Sequence, residues 1–178
     1  MDRSLEKIRH HLKETLSGSR FRHSEGAEKA SRFLAERFGE DPLLCSLAGL
    51  GHDICREYEA DVLERITGRK HRHPVMLHGE AGAIVLERDF GIRNSSVLQA
   101  VRHHISGSPG LDGVGKIVFA ADYIEEGRTH LSGEERERLF SLDLDDMVLS
   151  IACSIRSHLA AKRLPLEPAL LQMIEELT

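Results

Sequence analysis

An all-α fold is what this chain of 178 residues predicts, on three observations. Apolar residues recur at spacings of three and four nearly throughout, the signature of helices with one buried stripe. No alternating apolar and polar segment of useful strand length interrupts them. The breaks between the periodic segments carry helix-capping chemistry, as in Asp41-Pro42, Glu167-Pro168 and the Ser-x-x-Glu pattern of Ser132 and Glu135. The expectation is about eight to ten helices in a single domain over 1–178, a length within the usual domain range.

The elements follow in order. Leu5, Ile8 and Leu12 begin an amphipathic helix that "SGSR" stops at Gly18. Ser24 is the expected cap of a second helix, with Ala27, Ala30, Leu34 and Phe38 on one side and Gly39 at its end. Asp41 caps a third with Pro42 at its first position, running through Leu43, Leu47, Leu50 and Ile54, so that "HD" at 52–53 lies at its C-terminal end. A short helix over Ala60–Ile66 precedes "TGRKHRHP", a basic loop expected to be solvated. Another helix runs from about His78 to Phe90 and ends at Gly91. Asn94 or Ser95 caps the helix of Val97, Val101 and His104, and "SGSPG" breaks the chain after it. Val114, Ile117, Val118, Ala121 and Ile124 form the next helix, ending near Gly127, and a short charged one follows the Ser132 capping box. Asp145 or Asp146 opens a long helix with Val148, Ile151, Ile155 and Leu159 inward, and Glu167-Pro168 opens the last, so that helices in 145–178 pack on the preceding core.

Composition narrows the functional classes. A formal net charge of −5, from 24 Lys and Arg against 29 Asp and Glu, argues against a nucleic-acid surface while leaving room for a small anion held by a few arginines. No stretch reaches the roughly 18 to 20 apolar residues of a membrane span, and no signal-like segment opens the chain, so a soluble cytoplasmic protein is expected. Cys45, Cys55 and Cys153 form no CxxC pair and are read as reduced thiols without a neighbouring base. Eleven histidines are the oddity. His10 and His11 fall in a polar helix and are expected at the surface, while His130 and His158 lie near helix ends, where imidazoles have structural roles.

The remaining pattern carries chemistry. His23, His52 with Asp53, His78, His104 and Asp122 fall at the ends or on the inner stripes of different predicted helices. A carboxylate on an apolar face, as Asp122 is, costs several kcal/mol unless a partner or metal compensates it. Four imidazoles and two carboxylates suit iron, manganese, cobalt or zinc better than magnesium or calcium. Adjacent helical residues point about 100° apart, so His52 and Asp53 can reach different sides of one centre, and the two oxygens of Asp53 can bridge two ions. A lone histidine on a helix face is ordinarily structural and the dipeptide alone is common; the ordered set is what points to a metal. Two ions about 3.5–4 Å apart suit in-line displacement at phosphorus.

With those residues placed, the sequence resembles the HD-domain metallophosphohydrolases, and within them the YqeK-type symmetrical bis(5'-nucleosyl)-tetraphosphatases. "RFRHSEGA", "AGLGHDICR", "HGEAGA", "VRHHISG" and "KIVFAADYIEEGR" carry the likeness, over a core of about residues 20–128. The resemblance implies two irons, the first held by His23, His52, Asp53 and Asp122 and the second by His78, His104 and the bridging Asp53. It implies catalytic roles for Asp53 and His52, and substrate contacts for Arg20, Arg56, His78, His104 and Arg128. Three positions depart from its usual pattern: Arg56 stands for Lys, Ile105 for Thr and Glu126 for Pro. His103, one residue from the expected ligand, is set aside.

The expected reaction is hydrolysis of diadenosine tetraphosphate to two ADP, by in-line attack of a metal-bridging hydroxide on an inner phosphorus. The expected partner is therefore a small nucleotide, with no nucleic acid and no membrane; oligomeric state is left open, a homodimer included. Two alternatives are a nucleotidase acting on mononucleotides, which has no use for His78 and His104, and a nucleotide-binding regulatory module without turnover.

Overall fold

The structure, a computed structural model, describes residues 3–178, and these are all-α: ten helices and one 3-10 turn, with no strand among them. The helices are α1 (Arg3–Thr15), α2 (Gly18–Phe38), α3 (Pro42–Gly51), α4 (Ala60–Thr67), α5 (His78–Phe90), α6 (Ser95–His103), α7 (Gly113–Ile124), α8 (Gly133–Ser141), α9 (Leu144–Ala161) and α10 (Pro168–Leu177), with the 3-10 turn at Pro74–Leu77. None is long and apolar enough to cross a membrane.

Helix α7 is the centre of the core, and its sequence says why: Val114, Ile117, Val118, Phe119, Ala120, Ala121 and Ile124 leave little polar surface, and all are buried. It packs on α2, α3, α6 and α9, and α10 lies against α9. Helix α3 is held at its start by Asp41, whose carboxylate accepts from the Leu43 and Leu44 amides, with Pro42 at the first position. From Cys45 to Gly51 every residue is buried. Two glycines set how closely neighbouring helices approach. A Cβ on Gly49 would stand 2.4 Å from the Ser31 hydroxyl and 3.0 Å from the Ala27 carbonyl, so its absence seats α3 on α2. A Cβ on Gly79 would stand 2.7 Å from the Arg102 carbonyl oxygen and 3.0 Å from that of Val101, so its absence seats α5 on α6.

Several expectations change. Helix α2 begins at Gly18, and Ser24 is a buried interior residue rather than a cap. Glu57 explains the earlier start: its carboxylate accepts from the Ser17 amide and hydroxyl, both at 2.6 Å, and ties down the chain there. Arg20 and His23 therefore project from a regular helix. Helix α3 stops at Gly51, and residues 52–57 continue as tight turns in which Ile54 donates to Gly51 and Arg56 to Asp53. Asp143, not Asp145 or Asp146, caps α9, accepting from the Asp146 amide at 2.9 Å; the other two lie in the first turn, where the helix dipole favours them. His11 is half-buried edge-on against Phe90 instead of lying at the surface, because α1 turns that side toward α5.

Candidate metal centre

Six side chains from different parts of the chain converge. His23 comes from the second turn of α2, His52 and Asp53 from the turn closing α3, His78 from the start of α5, His104 from the cap of α6 and Asp122 from the last turn of α7. His52, Asp53, His78 and His104 are buried. The two close helix contacts described above do the assembling: α2 on α3 brings the Nε2 atoms of His23 and His52 to 3.2 Å, and α5 on α6 brings those of His78 and His104 to 3.1 Å.

Local backbone fixes the tautomers. The Nδ1–H of His52, His78 and His104 each donates to the carbonyl three residues earlier, at Gly49 (2.8 Å), Val75 (2.5 Å) and Val101 (2.7 Å). A carbonyl only accepts, so Nδ1 holds the proton and Nε2 of the neutral ring presents a lone pair. His23 donates Nδ1–H to the Glu125 carboxylate at 3.1 Å. Four Nε2 atoms thus face inward in two close pairs, an arrangement that repels unless a cation lies between them.

Asp53 stands between the pairs. Its Oδ2 lies 3.5 Å from His52 Nε2 and 3.7 Å from His23 Nε2, and its Oδ1 lies 3.0 Å from His78 Nε2 and 3.6 Å from His104 Nε2. Asp122 Oδ1 is 3.0 Å from His23 Nε2 and 3.8 Å from His52 Nε2. Nitrogen and carboxylate ligands bind zinc-like ions at about 2.0–2.2 Å, so two donors to one ion stand about 3 to 3.5 Å apart. The observed spacings fit such donor sets, and His23, His52 and Asp122, like His52, Asp53 and His104, bring donor atoms within 4.8 Å of one another.

The titration behaviour follows from burial and charge. Burial alone pushes the Asp53 carboxyl up, yet the His52, His104 and His78 rings hold it well below the ordinary carboxylate range. Asp122 is lowered likewise by His23, His52 and Arg128 against its own desolvation. Burial lowers His52 to about 4 and also lowers His78. His23 and His104 are desolvated too, but hydrogen bonds to Asp122 and Asp53 respectively outweigh it and raise them.

A cleft of about 520 Å³ opens onto this cluster, bordered by Asp53, His78, His104 and Asp122 and by all three arginines singled out in the sequence. Arg20 donates to Asp53 Oδ2 at 3.2 Å. Arg128 donates from Nη2 to the Asp122 carboxylate and from Nε to the Asp122 carbonyl. Arg56 borders the cleft with no side-chain hydrogen bond among the described residues. Ile105 lines the same cleft, whereas Glu126 is exposed and lines a neighbouring cavity of about 900 Å³. The basic loop at 68–73 stays largely exposed and away from the cleft, with Arg69 paired to Glu80 at 2.9 Å. His130 and His158 border the cleft, where structural roles near helix ends were expected.

The main omission of the sequence reading is Glu125. It is buried, orients His23 and accepts from the Gly127 amide at 2.6 Å. Its available signal was position, three residues after Asp122 and so on the same helical side. Cys45 and Cys55 are free and buried, and burial pushes both thiols up to about 12, which removes them as nucleophiles.

Residues 20–127, more than half of the chain, match the HD domain family. The chain belongs to that family. Among curated members of its YqeK-type branch, the symmetrical bis(5'-nucleosyl)-tetraphosphatase of Bacillus subtilis is 28% identical over 164 residues, 88% of each chain. The Staphylococcus aureus protein of the same name is 31% identical over 133 residues, 71% of this chain and 69% of its own. A crystal structure from Clostridium acetobutylicum, titled "predicted HD superfamily hydrolase involved in NAD metabolism", superposes with a TM-score of 0.89 at 28% identity. It covers 97% of this chain and 95% of its own.

Proposed function

We propose that this HD-domain chain is a metal-dependent phosphohydrolase that cleaves dinucleoside polyphosphates, diadenosine tetraphosphate to two ADP first among them. The observation that carries the reading is the placement of Asp53, whose two oxygens face two separate imidazole pairs. The names of the relatives supply the substrate. His23, His52, Asp53 and Asp122 are the proposed holders of one ion, and His78, His104 and Asp53 of the other, with iron the first choice and manganese, cobalt or zinc the others. Such a pair, when bound, supplies a water-derived nucleophile near neutral pH and offsets phosphoryl charge.

The rest is done by the chain's own groups. The Nδ1 hydrogen bonds hold each ring with its Nε2 lone pair directed inward before any ligand arrives, and Glu125 does the same for His23 while raising its basicity. Arg56 has a free guanidinium at the cleft, and a planar fork of donors suits paired phosphate oxygens at any relevant pH. Arg20 and Arg128 border the same space and place positive charge where negative charge builds during displacement. Water adds across the central P–O–P bridge, in line, and ADP leaves.

A mononucleotidase built on one ion gives no reason for His78 and His104 to converge on Asp53. The test is incubation of purified, anaerobically iron-loaded protein with dinucleoside polyphosphates and, separately, mononucleotides. Two ADP from diadenosine tetraphosphate is expected; AMP plus ATP, or release of inorganic phosphate from mononucleotides alone, would overturn the reading.

A further inference from the structure

The cleft extends beyond the metal cluster, and its outer wall comes from a part of the chain outside the residues matched to the HD domain family. Helix α9 contributes Ser154, Ile155, His158 and Leu159. These are two parallel rows one helical turn long: an apolar row, Ile155 and Leu159, beside a polar row, Ser154 and His158. Tyr123 of α7 lines the same cleft, set edge-on to His130 with ring centroids 4.7 Å apart.

The rows complement a flat heterocycle. Apolar side chains and an aromatic pair lining one cleft offer contact to ring faces, and the adjoining polar row offers hydrogen bonds to a ring edge. The polar row offers both hydrogen-bonding senses. Ser154 already donates its hydroxyl proton to the Ser150 carbonyl at 3.0 Å, so toward the cleft it is an acceptor. His158 has no side-chain hydrogen bond among the described residues, so its ring N–H is available as a donor. An acceptor beside a donor matches the exocyclic amine and adjacent ring nitrogen of an aminopurine. The volume of about 520 Å³ suits a nucleotide, since small-molecule sites run from about 300 to 1,000 Å³.

Resting on the reading of the site as a nucleotide hydrolase, we propose that this wall reads the nucleobase: Ile155 and Leu159 with Tyr123 hold the adenine ring, and Ser154 and His158 select its amine edge. The metal cluster and arginines take the phosphates, and α9 determines which nucleoside follows them.

Calorimetric titration of the metal-containing protein with ADP, UDP and pyrophosphate tests this without turnover. Ser154→Ala and His158→Ala each weaken ADP binding about fivefold, the loss of one ordinary hydrogen bond, and leave pyrophosphate binding unaltered. Ser157→Ala, on the same helix but outside the cleft, leaves ADP binding at the unmodified value. Unchanged ADP affinity in both cleft variants, or an equal loss for ADP, UDP and pyrophosphate, would overturn the assignment. If ADP binding follows the expected pattern while dinucleoside tetraphosphates stay intact, the wall stands and the proposed reaction falls.

Discussion

Gly79→Ala turns the close contact between α5 and α6 into a quantitative test of how the second half of the cluster is assembled. The added Cβ would sit 2.7 Å from the Arg102 carbonyl oxygen, where ordinary contact begins at 3.4 Å, so α6 must retreat by about 0.7 Å. The atoms it meets are backbone, so no side chain can swing aside. The same turn of α6 carries the Val101 carbonyl, 3.0 Å from the new Cβ and the acceptor that orients His104. Overpacking of this kind costs about 1–3 kcal/mol, offset in part by up to about 1 kcal/mol from alanine's higher helix propensity. A net loss of about 1–2 kcal/mol lowers Tm by roughly 2–8 °C for a chain of this size. His78 and His104 move apart while His23, His52 and Asp122 keep their places. Thermal melting together with metal analysis reads both effects: a lowered Tm with one bound ion per chain is expected. An unchanged Tm with two ions retained would refute the claim that Gly79 sets the His78–His104 distance.

Four further outcomes follow from the site. Glu125→Gln keeps the shape but replaces the carboxylate on His23, so affinity for the ion proposed at His23 falls about 10- to 100-fold, measurable by competition with a chelator. Because His23 and His104 are raised above 6.5, protons compete for one ligand in each half as pH falls; dialysis at about pH 5.5 strips metal that is retained at about pH 8. In the metal-free protein the depressed carboxyls of Asp53 and Asp122 contribute stability that is complete above 3.8 and lost as pH falls below it, so chemical denaturation midpoints drop on the acid side. Iodoacetamide near neutral pH labels the half-buried Cys153, leaves the buried Cys45 and Cys55 unmodified, and leaves turnover intact, as mass spectrometry and the product assay will show.

Four of the six clustered residues were legible because they broke a local rule. His104 and Asp122 interrupt apolar stripes, and His52 with Asp53 ends a segment otherwise devoted to the core. Polarity in a place that should be apolar is visible without coordinates. Glu125 was legible only in part: its spacing from Asp122 puts it on the same helical side, but in "IEEG" it stands beside Glu126 and only packing shows that one is buried against His23 while the other faces solvent. Ser154 and His158 were hidden for the opposite reason: they sit where an amphipathic helix ordinarily meets water, and only the position of α9 makes that surface a cleft wall. The start of α2 escaped because Glu57, distant in sequence, outcompetes the local capping preference of Ser24.

Metal content per chain decides whether Asp53 is a carboxylate shared by two ions. Iron-loaded protein, desalted and measured by elemental analysis, is expected to hold two equivalents, and Asp53→Ala to lose both, because His52 with Asp122 and His78 with His104 are each left short of the shared carboxylate. Two equivalents retained by Asp53→Ala, or a single equivalent in the unmodified protein, would contradict the account.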